Sequence, residues 1–145
     1  MEIRTIGFTK HSAEEFFESL KSSGIKQLID VRLNNTSHLA GFAKASDLPY
    51  FLEKIGGISY RHEIQLAPTQ QLLDAYKKQG GSWNTYQDDF LELIAERKIE
   101  QSLDRAMFDK SSVLLCSEHG PEKCHRRLVA EYLNEKWGEV DIVHL

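Results

Sequence analysis

The chain has 145 residues, 41% of them hydrophobic and 28% charged, in the range of one globular domain able to bury a core without covalent staples, which excludes disorder. Its 18 basic and 22 acidic side chains leave a formal charge of -4, excluding a whole-protein basic field of the kind that gathers nucleic acid. No apolar run approaches the roughly 20 residues of a membrane span, so no membrane partner is expected.

The elements follow in chain order. Ile3 to Phe8 is a short apolar-rich run that reads as a first strand. Ser12 with Glu15 three residues on is a capping box, and Ala13, Phe16, Phe17 and Leu20 then line one helix face until Gly24 stops it. Lys26 to Arg32 reads as a second strand with its polar residues at the end. Residues 33–45 are an irregular polar stretch, and its length without regular structure suits a substrate loop or a surface loop.

Ser46 is the expected cap of a helix carrying Leu48, Phe51, Leu52 and Ile55 inward, with Pro49 in its first turn and Gly56-Gly57 at its end. Ile58 to Ile64 alternates as a third strand. A helix after Pro68 presents Leu72, Leu73 and Tyr76 before Gly80-Gly81. Trp83 to about Lys98 is a longer helix with Tyr86, Phe90, Leu93, Ile94 and Arg97 on one face, and residues 100–108 suit a shorter one. Val113 to Cys116 is a buried type of strand. Gly120-Pro121 opens a helix with Leu128, Val129, Tyr132 and Leu133 inward, ending near Gly138, and Val140 to Leu145 is a terminal strand. This alternation predicts a single α/β domain over residues 1–145: a mostly parallel sheet of about five strands covered by helices on both faces.

In such sheets ligands sit beyond the carboxyl ends of the strands. That rule selects Gly7 to His11, Asp30 with Arg32, His62 with Glu63, and Cys116, Ser117, Glu118 and His119 together with Cys124, His125 and Arg126. With Pro121 at the first helical position, Cys124 and His125 fall in or just beyond the first turn. Unpaired amides there favour an anion and lower the thiol pKa. Arg126 and Arg127 add planar donor forks.

His125 shares the inward face of Leu128 and Val129, so a partner is expected, Asp30 or Glu118. It reads either as a general acid or base or as a hydrogen-bonded core histidine. Cys116 reads as a nucleophile or, following Val113-Leu114-Leu115, as a small buried hydrophobe. Asp30 and Arg32, two apart on one strand side, bind substrate, orient His125 or form a buried ion pair. Glu122 and Arg126 have the spacing of a helix-surface ion pair. Trp83 and Tyr86 read as packing residues.

Some chemistries fall away. A phosphatase-type loop needs arginine six residues after its cysteine, and Glu122 stands there. Cys116, Cys124 and His125 match no usual zinc spacing, so neither a metal nor any other cofactor is expected. Met1-Glu2-Ile3-Arg4 does not begin a secretory signal, so the expectation is a cytoplasmic chain whose two cysteines are reduced thiols.

Three segments carry a family resemblance: Thr5-Ile6-Gly7-Phe8, Asp30-Val31-Arg32, and Leu114-Leu115-Cys116-Ser117-Glu118 running on to Cys124-His125-Arg126-Arg127. Together they resemble the uncharacterised bacterial and archaeal family catalogued as domain of unknown function 488. Leu66-Ala67-Pro68-Thr69 and the Trp83 to Tyr86 region look like one branch of it. The resemblance runs nearly end to end. It implies a compact α/β fold and a shared site lined by Asp30, Arg32, Cys116, Glu118, Cys124, His125 and Arg126, without implying an activity. Gly120 stands where relatives often carry Asp, and the 33–45 loop is less basic than in many of them.

The leading expectation is a small enzyme or enzyme-derived domain binding an anionic, phosphate- or nucleotide-like molecule. Arg126 would hold the anion, His125 move a proton, and Asp30 or Glu118 orient it. A nucleic-acid-binding or regulatory module without catalysis, on a local patch of Lys44, Arg61, Arg126 and Arg127, is the alternative, although the net charge disfavours it. A thiol redox sensor using Cys116 and Cys124 is the third. No oligomeric state is predicted.

Overall fold

The computed structural model describes residues 1–35, 41–118 and 120–145; the part of the polar loop at 36–40 and residue 119 lie outside the described residues. Among the described residues five strands form one parallel sheet in the order β3-β2-β4-β1-β5. They are β1 (Glu2–Gly7), β2 (Gln27–Asp30), β3 (Ser59–His62), β4 (Ser112–Cys116) and β5 (Asp141–His144). The helices are α1 (Ala13–Ser22), α2 (Leu48–Gly56), α3 (Gln70–Lys77), α4 (Trp83–Arg97), α5 (Ile99–Ser102) and α6 (His125–Trp137).

Central position follows from composition. All five residues of Ser112–Cys116 are buried, and β4 pairs with β1 on one side and β2 on the other. The edge strands β3 and β5 are largely exposed. Pleating then divides the side chains between two cores. Val113 and Leu115 join Ile6, Leu28, Phe16, Phe17, Leu20, Leu48 and Leu52 under α1 and α2. Leu114 and Cys116 join Ile3, Ile29, Val31, Phe90, Ile94 and Leu128 under α4, α5 and α6.

The capping box at Ser12 is present: its hydroxyl accepts from Glu15 N–H, and the Glu15 carboxylate accepts from Ser12 N–H. Two predicted helix starts move. Asp47 rather than Ser46 precedes α2. The final helix begins at His125, because residues 120–123 form bends and turns and Cys124 is in extended conformation (φ -140°, ψ 138°). Cys124 is therefore the residue that caps α6, with His125 and Arg126 its first two helical residues. The interval 100–108 divides into α5 and a 3-10 turn over Arg105–Asp109. No described helix is long and apolar enough to cross a membrane.

Candidate functional site

Register sets the strand ends level: Gly7 lies opposite Cys116, and Asp30 opposite Leu115 and His62. The pleat nevertheless sends their side chains to different faces. Ile29 and Val31 belong to the α4–α6 core, so Asp30 between them faces α1 and α2. There it is fully buried and surrounded by donors. Arg32 gives it Nε at 2.8 Å, Nη2 at 2.7 Å and its backbone N–H at 3.1 Å, and the Tyr60 hydroxyl adds a bond of 2.6 Å. Burial first, and then the bond to Asp30, holds the Tyr60 phenol above its ordinary range. Arg32 also donates to the Ala43 carbonyl and lies over the Phe8 ring. This cluster ties the end of β2 to β3 and to the segment before α2.

Cys116, Glu118, Cys124, His125 and Arg126 assemble on the opposite face. Cys116 continues the inward side of Leu114, and Cys124 turns inward at the start of α6; the two are joined by a disulfide, leaving no free cysteine. The expected reduced thiols are thus corrected: the strand end and the helix start converge on one point. Arg126 is fully buried. It donates from Nη1 to Cys116 Sγ at 3.0 Å and to the Glu118 carbonyl at 2.9 Å, and from Nε to Thr5 Oγ1 at 3.3 Å. Burial lowers its pKa to about 10, so it stays charged at neutral pH.

Close approach here requires Gly7. A Cβ at that position would meet the backbone carbonyl of Glu118 and the Arg126 guanidinium. Thr9 holds the same loop, giving both its N–H and its hydroxyl to the Ser117 carbonyl.

His125 finds neither expected carboxylate. Its Nε2 lies 2.6 Å from the Val31 carbonyl, which can only accept, so Nε2 carries the proton and Nδ1 the lone pair of the neutral ring. Burial is the main cause that lowers its pKa to about 4; the Val31 bond opposes the shift and the Arg126 charge adds to it. At neutral pH the imidazole is uncharged. It can accept a hydrogen bond but has no second proton to donate.

A hollow of about 70 Å³ opens onto this cluster. Cys116, Cys124 and His125 line it from the β4–α6 side, and Tyr76, Trp83 and Tyr86 from α3 and α4. The three aromatic rings lie 5.0–5.8 Å apart. Burial, then the Glu118 charge, raises the Tyr86 phenol above its ordinary range. Lys77 and Lys123 also line the hollow, and Lys77 Nζ pairs with Glu118 Oε1 at 2.8 Å.

Trp83 and Tyr86, read from sequence as packing residues, are also the wall of this hollow, and Leu73, Tyr76, Lys77 and Lys123 complete its lining unforeseen. The inward period of Leu72, Leu73 and Tyr76 was the available signal. The other arginines are engaged elsewhere: Arg61 pairs with Glu63, and Arg127 with Glu131 at 3.0 Å. Among the described residues no group of three or more His, Cys, Asp or Glu has the arrangement of a metal site.

The fold and site define an α/β protein with a cysteine pair at the carboxyl edge of a parallel sheet. A family model, that of the domain of unknown function DUF488, matches residues 12–133, and the chain belongs to this family. The matched span contains both the Asp30-Arg32 cluster and the Cys116 to Arg126 segment; Thr5 to Phe8 lies before it. No curated protein and no solved structure matches the chain.

Proposed function

We infer that the chain is a small enzyme, or a domain derived from one, that holds a small anionic group in the hollow above Cys116 and Cys124. The observation that carries this reading is a coincidence of place. The start of α6, where Cys124 supplies no side-chain cap, borders the same hollow as the cysteine pair, His125 and Lys123. The positive end of a helix attracts an oxyanion. Neutral His125 adds an acceptor for an acidic oxygen's proton. Arg126 acts from beneath, holding Cys116 and the Glu118 carbonyl, rather than as the anion's own fork.

Size narrows the substrate. Sites that enclose a drug-sized ligand measure roughly 300–1,000 Å³, so about 70 Å³ admits a single oxyanion head group and leaves any larger body outside, against Tyr76 and Trp83. Phosphate, or the phosphate end of a metabolite, fits that description. Thermal shift with inorganic phosphate, sugar phosphates and nucleotides tests it. Ligand at a hundred times its Kd stabilises by about 2.7 kcal/mol, a rise of several degrees. The rise should be lost in Lys123→Glu. Null shifts across the panel would remove the reading.

A further inference from the structure

We propose that Cys116 and Cys124 are a redox-active pair that exchanges with a low-molecular-weight thiol entering through the hollow. The reading stands apart from anion binding and rests on the placement of the sulfurs. Both residues line the hollow, although each is only 1–2% exposed. A thin thiol arm can reach them, whereas the walls of Tyr76, Trp83 and Tyr86 exclude the surface of a folded protein.

The direction of exchange follows from the charges. Each sulfur has a feature that stabilises its thiolate: Cys116 the Arg126 guanidinium at 3.0 Å, Cys124 the start of α6. A full positive charge in contact outweighs a helix terminus worth roughly half a charge. Cys116 is therefore the better leaving group. The incoming thiolate attacks Cys124 Sγ; the bond to Cys116 breaks, and its electron pair leaves on Cys116 as a thiolate beside Arg126. A second thiol then attacks the mixed disulfide at the sulfur of the bound small thiol. It releases Cys124 as a thiolate and leaves the two small thiols joined to each other. Two electrons pass from two thiols to the pair, and the reverse sequence restores the disulfide.

The full chain, equilibrated in graded mixtures of reduced and oxidised glutathione, acid-quenched, alkylated with N-ethylmaleimide and weighed intact, tests this. Two species are expected, carrying no label or two, that interconvert across the series while circular dichroism stays unchanged. Cys116→Ser should hold glutathione on Cys124, on the order of tenfold more than Cys124→Ser holds on Cys116. If either variant fails to fold, rapid quenching of the wild type and mapping of its transient adduct give the same answer. A disulfide that yields only when the chain unfolds, thiols that never oxidise, or adducts shared equally by both positions would overturn the proposal. Phosphate shifts, measured separately on each redox form, keep its fate distinct from that of the anion reading.

Discussion

His125 Nε2 lies 2.6 Å from the Val31 carbonyl oxygen, so the first residue of α6 is bonded to the residue that follows β2. The bond joins the helix that carries the cysteine site to the strand that carries the Asp30 cluster, and it holds only while the ring keeps its Nε2 proton.

That ring makes stability depend on pH. Its pKa falls from 6.5 to about 4 on folding, so as pH drops below 6.5 the unfolded chain takes a proton that the native state refuses. The contribution is whole above 6.5 and is lost between 6.5 and about 4, amounting to roughly 3 kcal/mol. Urea unfolding at pH 7 and pH 4.5 should give a His125→Asn variant that is weaker at pH 7 but has a shallower acid slope. An unchanged slope would contradict the assignment.

Gly7→Ala should be among the costliest single-methyl additions in the chain. The new Cβ would strike the Glu118 backbone carbonyl, which cannot swing aside as a side-chain tip can. A loss of about 3 kcal/mol is expected, the upper end for overpacking. Gly24→Ala is the control: nothing lies within 4 Å of its Cβ, and only its φ of 69° is strained, costing roughly 1–2 kcal/mol. Denaturant midpoints of the two variants should fall in that order.

The Asp30–Arg32 pair offers a test of which sheet face binds the ligand. Arg32→Met leaves a fully buried carboxylate without its cation, and breaking a buried pair on one side costs about 3–5 kcal/mol. Asp30→Asn combined with Arg32→Met should recover part of that loss. In either variant the folded fraction should bind phosphate as the wild type does, because the hollow lies on the other face. Weakened phosphate binding at matched stability would move the site to Asp30.

Much of the architecture was legible in the sequence. Phe16, Phe17 and Leu20 recur at helical spacing behind a capping box, and Val113 to Cys116 reads as a buried strand; both follow from local rules that hold within one or two turns of chain. The start of α6 was misplaced because Pro121 is an acceptable first helical residue, while the loop leading to it is held at Ser117 by Thr9 and packs at Glu118 against Gly7, both far away in sequence. Cys116, Glu118, Cys124, His125 and Arg126, which the strand-end rule selects, lie together on one face of the sheet in the structure. The partner of His125 was not legible, since a backbone carbonyl leaves no trace in residue identity.

What the sequence determined alone is the alternation of strands and helices, the charge balance, and the gathering of polar residues at strand ends, because periodicity and caps are local properties. Only the folded chain decided that Asp30 and Cys116 face opposite ways, that Arg126 turns inward onto a sulfur, and that three aromatic rings from α3 and α4 wall the hollow. Those outcomes depend on strand order and pleat phase, which arise when segments distant in sequence pack against one another.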